Sequence, residues 1–380
     1  MQTVDLSTTQ ARTANRNELA IAYSAYQSGN LQISESDNPF FRNASSNNAN
    51  NDLFLDNSLQ VTSSITSDTF NFEIVTSSTV IAEGILSINN GGNFAGNLSN
   101  LNDDAFLYGG KGFNINSSNL LLPLVRDQNG NLVLLNGRAS LIENAISVPG
   151  DYSVFNSPRE IDGVTVSPQV VSKKTVDVPS FQDILNQQLA LKIPSGSQSV
   201  LFNPSANPIN TASDWSQFFT QGGTADTPTI IRVSGWGINI PSDVKIENAV
   251  IIVENGDVNF NGSNHKLNNV AIITNNGSVN LGNVQASKLT VLAAGSINMN
   301  QSAIFSGETL LANGSTNGIV FSGATSAATD KDFLKIISQG QITYNATSTV
   351  RGELISVGDI SFNANADLIG SIRSKGNIFF

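Results

Sequence analysis

The C-terminal third of the chain alternates apolar and polar residues in short runs, and a single glycine interrupts each run. Seven stretches align on that glycine, among them VIIVENGDVNF, LTVLAAGSINM and SIRSKGNIFF. Alternation with a period of two residues predicts β-strands with one buried face. The glycine predicts a sharp corner between two strands. The seven corner glycines are Gly256, Gly277, Gly295, Gly318, Gly340, Gly358 and Gly376.

These glycines lie 21, 18, 23, 22, 18 and 18 residues apart, by subtraction of their positions. Such a period matches one rung of a β-solenoid. The short strands of one unit cannot bury their apolar faces alone, whereas stacked units pair every strand with its copies above and below. The pattern therefore predicts an all-β fold, a right-handed parallel β-helix over residues 229–380. The alternative is a β-sandwich, whose strands rarely keep one glycine in register through seven units.

A fainter copy of the repeat precedes this region. Gly92, Gly110, Gly130 and Gly150 lie 18, 20 and 20 residues apart in stretches such as YGGKGFNIN and VPGDYSVF. Asn-Gly pairs also mark ordinary hairpins. We expect residues 58–157 to be β-rich and to supply either the first rungs of the coil or a cap on it.

The segment between these blocks is rich in proline. The sequences SFQD, from Ser180, and TASD, from Thr211, each place a hydroxyl residue three positions before an aspartate, which is typical of a helix N-terminus. We therefore expect two short helices, packed outside the coil before the chain resumes it. A further helix is predicted over Thr8–Gln27, followed by a low-complexity linker. The predicted organisation is 1–57 N-terminal helix and linker, 58–157 β-rich region, 158–228 helical excursion, and 229–380 solenoid.

Composition narrows the function. The net charge is −11, so nothing suggests a surface that neutralises nucleic-acid phosphates. There is no cysteine and one histidine, which excludes thiolate metal sites and Cys/His catalysis. No apolar stretch approaches the roughly 18 residues of a membrane-spanning helix. The low charge and the abundance of Asn, Ser, Thr and Gly are typical of secreted or surface-displayed β proteins.

Asparagine supplies about one residue in eight. In a solenoid, like charges at one position would repeat about 4.8 Å apart and repel, whereas stacked amides hydrogen-bond from rung to rung. The scarcity of charge and the excess of asparagine then share one cause. The asparagines predicted to stack after the second strand of each unit are Asn259, Asn261, Asn280, Asn298, Asn300 and Asn363.

Carboxylates are candidate catalysts because parallel β-helices often carry polysaccharide lyases and hydrolases, which need neighbouring acids in one groove. Asp257 and Asp359 occupy equivalent positions after their corner glycines, but several rungs separate them. We therefore expect no catalytic residue and no enzyme activity. The other charged candidates are Asp243, Glu247, Glu254, Arg351 and Glu353.

Metal and cofactor signals are weak. Asp127, Asn129 and Asn131 alternate like the start of a calcium loop, but position 12 of such a loop is Arg138 and a hairpin turn explains the sequence as well. No cofactor is predicted. His265 lies in the polar stretch NGSNHKLNN, where we expect a surface loop.

Aromatic residues support an alternative function. Trp215, Trp236 and Tyr344 could stack on sugar rings if the solenoid bound or cleaved a polysaccharide along a groove near the excursion. Two carboxylates and an aromatic ring in one groove would favour that function, and a featureless polar face would favour a stalk. The last unit ends at Phe379 and Phe380 without a polar cap. We expect that edge to be covered by further chain or by another copy.

The repeated units, from LTVLAAGSINM to SIRSKGNIFF, resemble bacterial surface β-helix proteins of the filamentous-haemagglutinin type. They also resemble the coils of pilin-like surface proteins and, more distantly, bactofilins. This resemblance covers about residues 229–380 and implies an extracellular structural or adhesive role without catalytic residues. The expected function is a rigid solenoid stalk or filament subunit whose partners are other copies of itself or a surface polysaccharide.

Overall fold

The computed structural model describes residues 70–73, 80–89, 92–95, 107–115, 120–126, 132–134, 146–150, 154–156, 160–161, 164–165, 168–195, 197, 199–203, 211–220, 223–235, 237–327 and 332–380. They form a mostly β structure, a parallel β-solenoid of about 10 turns with two short helices. The predicted fold class is thereby confirmed. The helix over Thr8–Gln27 and the rest of residues 1–57 lie outside the described residues.

Two long sheets build the solenoid within the described part of the chain. The wide sheet contains 19 strands, paired in parallel except for one antiparallel pair, β7 with β8. Its strands are β1 Phe70–Glu73, β2 Val80–Ala82, β4 Gly92–Ala95, β5 Leu107–Gly109, β7 Leu120–Arg126, β8 Leu132–Leu134, β9 Ile146–Pro149, β13 Gln169–Val171, β14 Ser199–Phe202, β15 Thr229–Val233, β17 Lys245–Val253, β19 His265–Thr274, β21 Val284–Ala293, β23 Ala303–Ser306, β24 Glu308–Asn313, β26 Thr325–Ala327, β27 Phe333–Ser338, β29 Ser348–Ser356 and β31 Ala366–Ser374.

The narrow sheet contains 11 shorter strands in the described residues. They are β3 Ile85–Ile88, β6 Gly112–Ile115, β10 Val154–Asn156, β16 Gly237–Ile240, β18 Asp257–Phe260, β20 Val279–Leu281, β22 Ile297–Met299, β25 Ile319–Phe321, β28 Ile342–Tyr344, β30 Ile360–Phe362 and β32 Ile378–Phe379. The remaining elements are a small hairpin and two helices, namely β11 Glu160–Ile161, β12 Val164–Thr165, α1 Phe181–Lys192 and α2 Ala212–Thr220.

The wide sheet bends along one line, so the cross-section has three sides. Asn248, Asn269, Lys288 and Gly307 lie at equivalent positions of four successive rungs, and all have φ between 49° and 66°. This left-handed conformation reverses the local curvature of the strand, and asparagine and glycine tolerate it best. The narrow sheet is one side of the solenoid. We call the half of the wide sheet after the bend the strap side.

The core is aliphatic because alternate residues of every strand point inward. The pattern is clear in β18, β20 and β22, where two buried apolar residues flank a half-buried asparagine. Near the C-terminal end, aromatic rings fill one column of the core. Phe321, Tyr344, Phe362 and Phe380 stack with centroid separations of 4.3, 5.2 and 5.3 Å.

Both helices begin as the sequence predicts. The Ser180 hydroxyl accepts a hydrogen bond from the Asp183 N–H at 3.1 Å, and the Thr211 hydroxyl accepts one from the Asp214 N–H at 3.1 Å. Each bond satisfies an N–H group that has no partner within the helix. Within the described residues, neither helix has the length and hydropathy needed to span a membrane.

Residues 229–380 climb one rung at a time, from β15 and β16 at the lower end to β31 and β32 at the upper end. We call this part the central solenoid. The rungs built from residues 80–156 stack on its upper end. Strand β2 pairs with the second half of β31, and β3 pairs with β32. The Glu83 N–H donates to the Ser374 carbonyl at 2.8 Å, and the Phe380 N–H donates to the Ser87 carbonyl at 2.9 Å.

The expectation that further chain or another copy covers the edge at Phe380 is wrong, because the chain's own β3 pairs with β32. The chain resumes the coil after the excursion, but at the opposite end of the molecule. Residues 80–156 end at the upper end of the molecule, and the segment that follows crosses to the lower end before the central solenoid begins.

The crossing segment runs along the strap side and contacts the ends of successive strands. Its extended part, residues 172–180, follows β13, which pairs with β9 at the upper end. The Lys174 N–H donates to the Tyr108 hydroxyl at 3.0 Å, and the Val176 N–H donates to Glu83 Oε1 at 2.7 Å. Farther down, Gln339 Nε2 donates to the Pro179 carbonyl at 2.7 Å. The segment thus crosses one strand after another.

Helix α1 covers the apolar outer surface of the strap side. Its Ile184 and Leu185 are buried there, and each such side chain stabilises the contact by about 1.5–3 kcal/mol. The residues beneath them, which face away from the core, are Ile230, Val250, Ile252, Ala271, Ile273, Leu292, Ala312 and Ile337.

The lower end is closed by β14 and α2. Strand β14 pairs with β15, and α2 packs Trp215 and Phe219 against the core, where both contact neighbouring aromatic rings. The Lys245 N–H donates to the Ser216 hydroxyl at 2.8 Å. Residues 70–220 therefore cover the upper edge, one side and the lower edge of the central solenoid. We call them the clamp.

Candidate functional site

The outer surface of the narrow sheet carries a column of asparagines. Asn259 Nδ2 donates to Asn239 Oδ1 at 3.0 Å, Asn280 to Asn259 at 2.7 Å, and Asn298 to Asn280 at 2.7 Å. Strand pairing puts these residues in register in four successive rungs. The predicted amide ladder is thereby confirmed for this column.

A second group of asparagines lies just beyond the same strands, at the rim of the narrow sheet. Asn261, Asn300, Asn345 and Asn363 are exposed there, and Asn363 Nδ2 donates to Asn345 Oδ1 at 2.8 Å. We call the column and this rim together the asparagine face. It is the candidate functional surface because it is accessible and regular, and because its column consists of amides in four successive rungs. Above Asn298 the same position holds Val320, Thr343 and Ser361.

The ladder uses only part of each amide's hydrogen-bonding capacity. A carboxamide has two N–H donors and an oxygen with two lone pairs, and one contact to each neighbouring rung leaves one donor and one acceptor site. Asn259 and Asn280 are half-buried, so their remaining groups reach solvent, whereas Asn298 Nδ2 also donates to Ser296 Oγ at 3.2 Å. The face can therefore offer neutral donors and acceptors about 4.8 Å apart along the solenoid.

Carboxylates beside this face fix the backbone of the next rung. Asp257 Oδ1 accepts the Ser278 N–H at 2.7 Å, and Asp359 Oδ1 accepts the Asn377 N–H at 2.7 Å. The two acids occupy equivalent positions in rungs that are far apart, with Ser278, Ser296 and other residues between them. Their contacts are those of a corner-stabilising residue.

The seven corner glycines all lie between a strand of the wide sheet and a strand of the narrow sheet. Gly256 and Gly318 have φ of 97° and 80°. At Gly295 and Gly358 the need is space, since a Cβ atom would lie 2.7 and 2.9 Å from the carbonyl oxygen of the corner glycine one rung below. The same sequence signal therefore has two physical causes.

The aromatic residues considered for sugar stacking are not on an accessible surface where they are described. Tyr344 is 0% exposed within the core stack, and Trp215, on α2, is 6% exposed and packs against the core. The prediction that they stack on sugars is wrong, because neither ring has a free face. Trp236 lies outside the described residues.

The sequence predicts a surface loop at His265, but the structure places this residue in a buried strand position. It opens β19, and its ring is 0% exposed, edge-on to Phe260 with centroids 5.2 Å apart. Nε2 lies 3.2 Å from the Asn261 carbonyl, and Nδ1 is buried without a hydrogen-bond partner in the described structure. Burial lowers the pKa of His265, although the Asn261 carbonyl and the charge of Asp243 act in the opposite direction.

A buried charge cluster on the strap side escaped the sequence interpretation. Lys335 Nζ lies 3.1 Å from Glu353 Oε2, and the other carboxylate oxygen of Glu353 pairs with Arg373. Burial, assisted by the positive charge of Arg373, lowers the pKa of Lys335 to about 8. The signal was present, because Lys335 and Glu353 occupy directly paired positions one rung apart. Charges buried in this way are paired because an isolated charge would be too costly.

No metal centre emerges from the described residues, which contain no group of three or more His, Asp or Glu side chains suited to one. The weak calcium prediction at Asp127, Asn129 and Asn131 lies outside the described residues and stays a prediction.

Burial also lowers the pKa of Lys192, and the negative charge of Glu308 partly offsets this effect.

Comparison with known proteins gives one similarity. Residues 208–365 match the family model described as Toastrack DUF4097. The match spans 158 of the 380 residues (365 − 208 + 1) and runs from α2 through the central solenoid to β30. The chain is thus similar to toastrack domains over this part, which forms a β-solenoid. No curated protein and no solved structure matches the chain.

Proposed function

We propose that this protein is a structural or adhesive component of an extracellular surface. Its solenoid would act as a rigid support that presents the asparagine face. The observation that carries the proposal is the hydrogen-bonded column from Asn239 to Asn298 on an accessible side of an uninterrupted parallel ladder. The low charge and the resemblance of the repeats to bacterial surface β-helix proteins support the location.

The support is stiff because each inner strand pairs on both sides and every rung adds apolar side chains to one continuous core. Bending such a column would break several backbone hydrogen bonds at once. The asparagine face repeats the same amide chemistry in four successive rungs, so a repetitive partner could form several weak contacts whose effects combine. A hydroxyl-rich polysaccharide has the matching hydrogen-bonding chemistry.

Cleavage of a polysaccharide, the alternative, gains no support from the described residues. Tyr344 and Trp215 are buried, and Asp257 and Asp359 hold backbone groups in distant rungs. The proposal therefore assigns the polysaccharide at most a binding role.

Adhesion can be tested with beads coated with the purified full chain and a surface of immobilised cellulose, dextran or chitin. Asn280→Ala interrupts the amide ladder, whereas Gln285→Ala changes an exposed residue of the neighbouring strand on another side. We expect binding to at least one polysaccharide, a clear loss with Asn280→Ala, and no loss with Gln285→Ala. Equal binding by all three proteins, or release of sugar from the polymer, would contradict the proposal.

A further inference from the structure

The clamp and the central solenoid contact each other at both ends and along the strap side but are joined by a short link. The clamp pairs with β31 and β32 above, packs α1 on the strap side, and pairs β14 with β15 below. In sequence, the two parts are connected through residues 223–228 of the described chain. The contacts at both ends and along the strap side can therefore form equally well within one copy of the chain or between two copies.

The link is an exposed turn whose own bonds are few. The Thr224 N–H donates to the Thr227 carbonyl at 3.0 Å, and the Thr227 N–H donates to the Thr224 hydroxyl at 3.1 Å. Gly223 is pressed against the backbone, since a Cβ there would lie 2.9 Å from the Thr229 nitrogen. Pro228 then fixes the backbone before β15. A short, tightly folded hinge of this kind favours exchange of the elements on its two sides.

We infer that two copies of this chain can exchange clamps, so that the clamp of one copy closes the central solenoid of the other. Opening the link loses the hydrogen bonds between Thr224 and Thr227 and the contact from Asn269 Nδ2 to the Ala225 carbonyl at 3.5 Å. The contacts at both edges and along the strap side re-form unchanged between the two copies. The partner is therefore a second copy of the same chain, bound through the surfaces that close the monomer.

The protein concentration during folding decides between the closed monomer and the exchanged dimer. A short link gives the clamp an effective concentration of about millimolar for its own solenoid. Dilute protein therefore closes as a monomer, and crowded chains that fold together form exchanged dimers. Exchange after folding is slow, because the clamp must leave both edges and the strap side at once. This inference stands independently of the proposed surface function.

The upper edge provides a direct test, because the chain has no cysteine. Phe379 pairs in register with Ser87 of the clamp on one side and with Ser361 of the central solenoid on the other. Neighbouring Cα atoms in such a ladder lie about 4.8 Å apart, within the range of a disulfide. The single variants Ser87→Cys and Phe379→Cys, carrying different affinity tags, are co-expressed and also co-refolded near millimolar concentration, then oxidised.

We expect the yield of disulfide-linked heterodimer to be at least tenfold higher than in the matched control, a mixture of Ser361→Cys with Phe379→Cys. In the control both cysteines belong to the central solenoid, so clamp exchange does not bring them together. Mixing variants that have already folded should give no excess. A heterodimer yield no higher than the control in both co-expression and co-refolding would overturn the inference. Co-expression keeps the test decisive if refolding fails.

Discussion

Replacing Tyr344 by phenylalanine should stabilise the protein. The Tyr344 ring is 0% exposed and stacks between Phe321 and Phe362, at centroid distances of 4.3 and 5.2 Å and interplanar angles of 1° and 8°. Its hydroxyl is buried with no hydrogen-bond partner in the described structure. The same burial raises the pKa of this phenol, since ionisation would place an unpaired charge in the core.

The size of the effect follows from these contacts. A buried polar group without a partner costs about 1–3 kcal/mol, and phenylalanine removes that group while keeping both stacking contacts. We expect Tyr344→Phe to raise the free energy of unfolding by about 1 kcal/mol. Tyr344→Ala should lower it by about 3–5 kcal/mol, because the cavity and both ring contacts are then lost.

Tyr108→Phe is the matched control. Tyr108 is also 0% exposed, but its hydroxyl accepts the Lys174 N–H of the crossing segment at 3.0 Å. Losing that bond should lower stability by about 1 kcal/mol, the opposite sign. Urea unfolding is followed by tryptophan fluorescence and by far-UV circular dichroism, whose coincidence checks two-state behaviour. A Tyr344→Phe protein less stable than the parent would refute the account of this core.

Two further predictions concern the core and the corners. The lowered pKa of His265 means that the unfolded chain binds a proton more readily, so stability is full above the unfolded pKa of about 6.5 and falls as the pH drops through it. The free energy of unfolding, measured with urea, should fall between pH 7.5 and pH 5.5, and His265→Leu should reduce this fall by up to about 1.4 kcal/mol per pH unit. Parallel pH profiles for the parent and the variant would refute this. Gly358→Ala should cost about 1–3 kcal/mol by calorimetry, because its Cβ would lie 2.9 Å from the Gly340 carbonyl oxygen. Gly150→Ala, whose Cβ would meet nothing closer than 3.7 Å, should be nearly neutral, and equal losses would contradict the argument.

The sequence was sufficient for the features that repeat locally. The glycine spacing reports the length of one rung, and the position of Asn280 one rung from Asn259 reports a hydrogen-bonded column. Tyr344 could also have been placed correctly, because it occupies the inward position that Phe321 and Phe362 share in neighbouring rungs. A sugar-stacking role for Tyr344 requires an exposed ring, which this alternation disfavours.

The stacking order could not be predicted in this way. Rungs are joined by backbone hydrogen bonds, which are nearly the same for any pair of apolar strands, so the sequence of β3 does not reveal that its neighbour is β32. The bend at Asn248 and Asn269 was hidden for a related reason, since asparagine is common throughout the chain. Such contacts depend on how the whole chain closes.

Whether the clamp closes the upper edge is the central structural claim, and the double variant Ser87→Cys/Phe379→Cys tests it most directly. In dilute, oxidised protein we expect an intrachain disulfide between positions 87 and 379 in most molecules, identified by mass spectrometry of unreduced peptides. The pairing of β3 with β32 requires this result. Free thiols at both positions in the folded, oxidised monomer would contradict the account, because they would show that the upper edge is closed in some other way.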